Sequence, residues 1–459
     1  MALALPAGAA ARPGMHTIFQ APRELRGEDS ALRSRTLDEI HDLGADWLRV
    51  VLYWRDVAPA ADSRTRPSFP ERDPNAYNWA VYDRMMREAH DKGLHLLVSI
   101  SGPVPRWATR SKRDQVTRPS AKRYGRFTEA VARHFGGLVD AYSIWNEPNH
   151  PDFLKPQWTG RHHHRPTSAK LYRRLFIRGA RGLAAGGAGS TPVLMGETAS
   201  RGTSQVVGPT TFLRVASCLN KHWHKKHRSC HRLPADGYAH HAYTSRGGPY
   251  YKPPKHGDIT IRVLHRLNHV LAKAGRAGAI RRGMRIWLTE FGIQSWPDRV
   301  FGVKQRTQAE WRAIGEHMAY ANKRVVMFSQ YLMRDDDPVA GAATRMQRYS
   351  GFQTGLRGAR GGRKKSYAAF RLPLVALKHG HRVKLWGMVR PARRRTTVTI
   401  EFKARGSRRW HVLKRKRTNA YGAWRSSTSR IKGRRYRVRW KAPSGHWYRG
   451  PATRVHHRT

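Results

Sequence analysis

Residues 139–149 read Val139-Asp140-Ala141-Tyr142-Ser143-Ile144-Trp145-Asn146-Glu147-Pro148-Asn149, and residues 285–292 read Arg285-Ile286-Trp287-Leu288-Thr289-Glu290-Phe291-Gly292. Each is a short apolar run that stops on a polar turn, the pattern of a strand buried on both faces. The same unit, a short apolar run followed by a stretch of helical period, recurs eight times between about residues 15 and 374. The strand candidates are 15–19, 46–53, 94–100, 139–145, 193–197, 237–243, 285–290 and 325–331. The helix candidates lie near 33–43, 79–92, 122–135, 168–185, 209–221, 258–274, 304–321 and 364–378. Strands alternating with helices pair in parallel through right-handed crossovers. Eight such units predict an α/β fold closed as a (β/α)8 TIM barrel. An open doubly wound sheet is the main rival, but no Gly-rich phosphate loop follows the first strand to support it.

The 459 residues exceed one average domain and fit a barrel plus a smaller module. After about residue 380 the period changes to two. Val398, Ile400 and Phe402 alternate with Thr397, Thr399 and Glu401, and Tyr436, Val438 and Trp440 alternate with Arg435, Arg437 and Arg439. With turn signals such as Thr418-Asn419-Ala420-Tyr421-Gly422 between such runs, this predicts a small all-β sandwich of immunoglobulin-like kind. No long linker precedes it, so it is expected to pack close to the barrel. At the other end, Met1-Ala2-Leu3-Ala4-Leu5-Pro6-Ala7-Gly8-Ala9-Ala10-Ala11 resembles the tail of a secretory signal that lacks its basic start, with a disordered Ala-rich leader as the alternative. The expected division is a leader or signal remnant over 1–14, the barrel over 15–378 and the sandwich over 380–459, in a secreted or extracellular protein. No apolar run approaches the roughly 18 residues of a membrane span.

The chain carries 88 Lys and Arg against 30 Asp and Glu, a formal charge of +58. From residue 375 onward there are 26 basic residues and a single acid, Glu401. Such an excess draws a protein to polyanions and says nothing about fold. There is no zinc-finger or RNP-type signature, and the basic residues are spread along the whole chain, so no specific nucleic-acid partner is expected. The plainest account is a generally basic secreted protein, and the middle reading is that the C-terminal module anchors it to an anionic glycan or cell-envelope polymer. The two cysteines, Cys218 and Cys230, suggest one disulfide closing a short loop. His222, His224, His227 and His231 crowd the same segment, so a zinc site is a rival and free thiols a third reading. The spacing fits no compact two-plus-two ligand set.

On a (β/α)8 barrel, functional groups gather at the C-terminal ends of the strands. Glu147 ends the fourth candidate strand and Glu290 the seventh, so the two face each other across the barrel mouth. Either alone reads as a solvated glutamate in a βα loop. Together they supply what hydrolysis of a glycosidic bond needs, two carboxyl groups on opposite sides of the sugar.

The Asn-Glu-Pro after strand four and the Thr-Glu-Phe-Gly after strand seven resemble the clan A glycoside hydrolases, retaining enzymes on (β/α)8 barrels, with families 5 and 39 nearest in style. The likeness spans roughly residues 15–374 and is strong at the two glutamate motifs. It implies that Glu147 is the general acid/base and Glu290 the nucleophile, with no metal or organic cofactor. It also implies that Asn146 hydrogen-bonds the sugar 2-hydroxyl. Arg49 on strand two matches an arginine that often sits near the nucleophile; the alternative is a core-edge arginine. His240-His241-Ala242-Tyr243 resembles the family's His-x-Tyr pattern, so that Tyr243 donates to Glu290 and His241 lines the sugar site; the alternative is a buried histidine satisfied by backbone. Strand eight departs from the family, which often places a tryptophan under the sugar; here Tyr331 or Gln330 takes that place.

Trp54, Trp107, Trp145 and Trp296 fall at or just after strand ends, where a ring can stack on a sugar or serve as core. Of these, Trp107 is counted with the substrate-binding residues. Glu197 and Asp335-Asp336-Asp337 are further loop acids, read as substrate contacts or loop structure. The run His162-His163-His164 reads as a solvated loop, since consecutive histidines cannot all face one metal. The expected reaction is retaining hydrolysis of an oligo- or polysaccharide by double displacement, with β-linkage following only from the commonest activity of the clan. It requires Glu290 to be the more acidic carboxyl and Glu147 the less. The rival is a non-catalytic glycan- or polyanion-binding protein on a hydrolase scaffold.

Overall fold

A computed structural model describes residues 14–161, 164–391 and 394–457. Residues 1–13 of the expected leader, and His162 and His163, lie outside the described residues. His164 belongs to the loop after the fourth strand, where it meets the Arg161 carbonyl at 2.6 Å and accepts from Arg165 Nε at 3.1 Å.

Eight parallel strands close into a barrel. They are β1 (His16–Gln20), β2 (Trp47–Tyr53), β3 (His95–Ser101), β4 (Ala141–Ile144), β5 (Val193–Thr198), β6 (Gly237–His241), β7 (Arg285–Glu290) and β8 (Val325–Tyr331). They follow chain order around the ring, β8 closing on β1. The strands are apolar on both faces because helices cover the outside and the barrel filling covers the inside. The lower interior is an apolar plug of Ile18, Leu97, Ala141, Leu194, Ala239 and Met327, with Trp47 and Trp287 packed against it. Each strand gives one residue to this layer. One step further up, the inward positions turn polar, to Gln20, Arg49, Ser99 and His241, and that change marks the floor of the site.

Local chemistry sets the helices. Asp29 caps Ser30–Asp42 by accepting from Leu32 N–H, and Ser120 caps Ala121–Phe135 by accepting from Arg123 N–H. The helices Ala121–Phe135 and Thr167–Leu183 touch through glycines. A Cβ at Gly182 would lie 2.0 Å from the Gly125 carbonyl oxygen, so only glycine admits this approach.

Three expected helices are clearly shorter. The helix expected near 209–221 is Pro209–Ala216, that expected near 258–274 is Leu264–Arg276, and the last, expected to run to 378, is Lys365–Arg371. Pro373 cannot continue a helix and bars its predecessor from helical geometry. The apolar run beyond it becomes β9 (Leu374–His379), the first strand of the C-terminal sheet.

That sheet continues with β10 (Arg382–Gly387), β11 (Thr397–Lys403), β12 (His411–Arg417), β13 (Trp424–Ser429), β14 (Arg435–Lys441), β15 (Trp447–Arg449) and β16 (Thr453–His456). The strands are hydrogen-bonded in the order β12, β11, β14, β16, β9, β10, β13, with β15 on β14. The result is a sandwich-like, nearly closed sheet. Every pairing is antiparallel except β9 with β16. Its own core holds Leu385, Val398, Ile400, Tyr436, Val438 and Trp440.

As expected, it packs directly on the barrel. Val375, Trp386, Met388 and Ala423 meet Ala313 and Ile314 of the helix Gln305–Ala321. Under this seam Arg390 and Arg312 both pair with the buried Glu316, Arg312 Nη1 at 2.8 Å. Cys218 and Cys230 form a disulfide, with His227 Nε2 3.8 Å from the Cys218 sulfur.

Candidate functional site

The site lies at the C-terminal mouth of the barrel, where β4 and β7 deliver their glutamates. Three non-glycine residues there have left-handed backbones, Trp145 (φ 74), Glu147 (φ 37) and Glu197 (φ 44). Such conformations cost of order 1–3 kcal/mol each and persist only where the surroundings enforce them. Here Trp145 N–H donates to the Ile100 carbonyl at 3.0 Å, Asn146 N–H to Ser101 Oγ at 3.0 Å and Glu147 N–H to the Glu197 carbonyl at 3.1 Å. Asn149 then ties the loops after β4 and β5 together, accepting from Ala199 N–H at 2.8 Å and donating to the Val207 carbonyl at 2.9 Å.

Register shifts aim the acids. Between Gly196 and Thr198 on β5, and between Ala239 and His241 against β7, the ladder slips and His241 comes to pair with Glu290. Such bulges re-aim side chains, and here Glu197 and Glu290 both turn into the barrel.

Arg49 is the hub of the site. Its guanidinium is fully buried and donates from Nη1 to Glu290 Oε1 at 2.6 Å and to Gln20 Oε1 at 2.5 Å. From Nη2 it donates to Asn146 Oδ1 at 2.6 Å and Glu197 Oε2 at 2.7 Å, and from Nε to Glu197 Oε1 and Ser99 Oγ, both at 3.1 Å. Ser99 Oγ donates in turn to Glu197 Oε1 at 2.8 Å. A buried cation is stable only when paired and hydrogen-bonded, and Arg49 meets both conditions. Burial opposes its charge, but Glu197 and Glu290 hold it above the ordinary arginine range.

His241 Nδ1 lies 2.8 Å from Glu147 Oε1 and 3.6 Å from Glu290 Oε2, so one ring nitrogen stands between the two carboxylates. The ring is buried, and its Nε2 has no partner among the described residues. Tyr243 Oη donates to Glu290 Oε2 at 3.1 Å. Burial would raise the Glu290 pKa, but the His241 and Arg49 charges and the hydrogen bonds from Arg49 and Tyr243 bring it below its ordinary value. Burial would lower the His241 pKa, but Glu290 and the hydrogen bond to Glu147 raise it. The neighbouring His240 is different: burial pushes it down to about 4, and its nitrogens meet the Ile259 carbonyl and Thr198 Oγ1.

Of the residues singled out in the sequence, Glu147, Glu290, Asn146, Arg49, His241 and Tyr243 come together in this network. Tyr331 joins its edge, its ring edge-on to Tyr243 at 6.5 Å and to Phe352 at 4.9 Å. Gln330 points the other way, accepting from Arg312 Nε at 2.5 Å and donating to the Leu332 and Thr354 carbonyls, so Tyr331 is the strand-eight residue beside the site.

Trp107 stands apart. Its indole is buried against Trp54 and Phe69 and donates to the Pro59 carbonyl at 3.1 Å, which makes it wall rather than a free stacking face. Trp54 and Trp145 are likewise buried, while Trp296 is half-buried under the Arg299 guanidinium, 3.7 Å from its ring. Asp335 is taken up by Lys364 Nζ at 2.8 Å. Sequence reading left Ser99 and Gln20 out of the site and left Glu197 open between substrate contact and loop structure; the structure makes it a partner of Arg49. The signal for Ser99 and Gln20 was a polar side chain in a strand otherwise apolar on both faces.

A cleft of about 740 Å³ opens beside Tyr243, over the loops that follow β5 to β8. Gly292, Ile293 and Gln294, just past Glu290, form one wall, and residues Tyr349 to Phe352 another.

No protein-family model and no curated protein matches the chain. Among solved structures it is similar to a family 39 glycoside hydrolase from the gut symbiont Bacteroides cellulosilyticus WH2, at 14% identity and a TM-score of 0.53, over 91% of this chain and 81% of that one. It is also similar to a glucosidase from Croceicoccus marinus, at 10% identity and a TM-score of 0.51, over 88% of this chain and 90% of that one. At such identities the likeness establishes a shared fold, the (β/α)8 barrel with a C-terminal β domain.

Proposed function

We propose that the chain is a retaining glycoside hydrolase acting on a β-linked oligo- or polysaccharide, with Glu290 as nucleophile and Glu147 as general acid/base. The observation that carries this reading is the pair of glutamates about one His241 nitrogen, with Glu290 also held by Arg49 and Tyr243. Their nearest oxygens can be no farther apart than those two His241 contacts laid end to end. That bound covers the ~5–5.5 Å of retaining enzymes and stops at the edge of the ~6.5–9.5 Å of inverting ones.

Glu290 Oε2, ionised, attacks the anomeric carbon as the glycosidic C–O bond breaks. Glu147 gives its proton to the departing oxygen. In the second step Glu147 takes a proton from water, the hydroxide oxygen bonds to the anomeric carbon, and the Glu290–sugar bond breaks. Both carboxyls then return to their starting states. His241 holds Glu147 by its hydrogen bond, and Asn146 faces the sugar 2-hydroxyl. The relatives named above are a glycoside hydrolase and a glucosidase, which agrees with this class.

In the same reading the C-terminal domain covers the helix Gln305–Ala321 and carries a basic edge, with Lys414, Arg415 and Arg417 exposed on β12. That edge is assigned to retention on an anionic glycan or envelope polymer. The disulfide fits an oxidising, extracellular setting.

The deciding experiment is reducing-sugar release from a panel of β-linked polysaccharides and aryl β-glycosides, with Glu147→Gln and Glu290→Gln alongside. Release by the wild type and its loss in both variants is the expected result. Equal release by Glu290→Gln would sink the assignment. Retention is tested by changing Lys414, Arg415 and Arg417 to Gln; unchanged binding to anionic polymer would remove that role.

A further inference from the structure

We infer that the cleft beside Tyr243 is a subsite for an anionic sugar, a uronate or a sulfated residue, held through Arg201 and Arg246; this rests on the glycosidase reading and specifies its substrate. The cleft lies among the loops following β5 to β8 and touches the centre at Tyr243, whose hydroxyl donates to Glu290. A sugar joined to the one under attack would extend into it.

Three observations say what the cleft takes. First, apolar side chains gather there in the open. Phe301 is 53% exposed, Met346 56% and Phe352 40%, and Trp311 and Tyr349 add two more rings to the lining. Exposed apolar groups gathered at one place and rimmed by polar ones mark a binding surface, and flat rings suit the apolar faces of sugars.

Second, its charged lining is of one sign. Arg201 and Arg246 line it, and no carboxylate does. The acids behind its walls are engaged with backbone. Asp336 accepts from Phe352 N–H at 2.6 Å, and the buried Asp298 accepts from Val300 N–H at 2.7 Å and Phe301 N–H at 3.2 Å.

Third, both guanidiniums are placed but unused. Arg201 sits over the Tyr251 ring at 5.8 Å and Arg246 over the Phe301 ring at 5.6 Å, and neither pairs with a carboxylate among the described residues. Stacking on a ring leaves the planar fork of an arginine free for a carboxylate or sulfate. Ser245 and Ser350 add neutral hydroxyls to the lining, while Thr244 and Gln294 donate to the Gly248 and Gly351 carbonyls and serve as wall.

The test measures binding apart from turnover. Calorimetry on Glu147→Gln would compare short uronate oligosaccharides with their carboxyl-reduced, neutral counterparts, and sulfated ones with desulfated. The same titrations would be run on Glu147→Gln carrying R201Q/R246Q, and carrying R281Q/R282Q as a charge-matched control, two exposed arginines in the loop before β7 at the opposite end of the barrel. The expected result is tighter binding of one anionic series than of its neutral partner. R201Q/R246Q should weaken it about tenfold or more, the worth of a lost charge-assisted hydrogen bond, and the control should leave it nearly unchanged. Which series binds distinguishes uronate from sulfate. Equal binding of charged and neutral partners, or equal losses in the two double variants, would overturn the subsite. Binding with this pattern but no hydrolysis by the wild type would instead remove the glycosidase reading and leave the subsite standing.

Discussion

Glu197 takes one edge of the Arg49 guanidinium with both its oxygens, Nε at 3.1 Å and Nη2 at 2.7 Å, while the same guanidinium holds Glu290 through Nη1 at 2.6 Å. The buried cation is therefore anchored by one carboxylate and presented to the other. Glu197 is a positioning residue: it acts on Glu290 through Arg49. Glu197→Ala leaves Arg49 buried with Glu290 as its one remaining carboxylate. The expected cost is about 3 kcal/mol, the lower end for breaking a buried pair, since Glu290 still compensates the charge. Glu197→Gln keeps the shape and removes the charge. In that variant kcat should fall with KM little changed. With one negative charge gone from its surroundings, Glu290 should titrate lower, and the acid limb of kcat/KM should move to lower pH. Wild-type kcat with an unmoved limb in Glu197→Gln would leave Glu197 a purely structural partner.

The two glutamates can be told apart by chemical rescue. Without the Glu290 carboxylate no covalent intermediate forms, and turnover should fall by at least ~10³-fold, about 4 kcal/mol of barrier. In Glu290→Gly, azide in the vacated space should restore turnover by attacking the anomeric carbon, giving a glycosyl azide of inverted configuration. In Glu147→Ala, azide should attack the glycosyl-enzyme instead and give a product of retained configuration. The product stereochemistry, read by NMR, checks both at once. The same azide product from the two variants would undo the assignment of roles.

His241 should set the pH profile. Its pKa is raised, after burial is overcome, by Glu290 and by the hydrogen bond to Glu147, and its charge is one cause of the lowered Glu290 pKa. Removing it in His241→Gln should let Glu290 titrate higher, so the acid limb of activity should move to higher pH. Stability has two windows. Glu290, lowered in the fold, contributes above the ordinary carboxylate pKa and loses that contribution as pH falls through its folded value. His241, raised in the fold, contributes fully below its ordinary value of about 6.5 and loses that contribution as pH rises through its folded value. A shift of the acid limb to lower pH in His241→Gln would show that the histidine does not act as a charge beside Glu290.

The barrel and the two catalytic candidates were legible because burial writes them plainly. Runs such as Trp47 to Tyr53 are apolar on both faces, and an arginine within one, Arg49, is conspicuous. Glu197 was harder, because strict alternation after Leu194 and Gly196 turns it away from the interior. The slipped register between Gly196 and Thr198 turns it back, and no local pattern announces a bulge. Trp107 misled for the converse reason: position after a strand end does not separate a ring facing the cleft from one packed on Trp54. The end of the barrel was read too late because the apolar run after Pro373 carries no strong period, and its pairing with β10 and β16 is settled by distant sequence.

The seam between the domains should prove inseparable from barrel stability. Val375, Trp386, Met388 and Ala423 cover Ala313 and Ile314, so deleting residues 380–459 would strip all of this cover but Val375 from the helix Gln305–Ala321. Truncation is therefore expected to yield insoluble or unfolded chain, and point substitutions are the informative probe. Glu316 is fully buried between Arg390 and Arg312, whose charges outweigh burial and hold its pKa below the ordinary value. Its contribution is present above the ordinary carboxylate range and is lost as pH falls through its folded pKa. Glu316→Gln leaves two buried guanidiniums without their carboxylate, at a cost of up to ~3–5 kcal/mol. Thermal melts from neutral to acidic pH should show a gap between wild type and variant that is widest near neutrality and narrows with acid. Activity of the folded fraction should be unchanged, because Glu316 touches no member of the Arg49 network. A melting temperature equal to wild type at neutral pH would mean that the apolar contacts alone hold the two domains together.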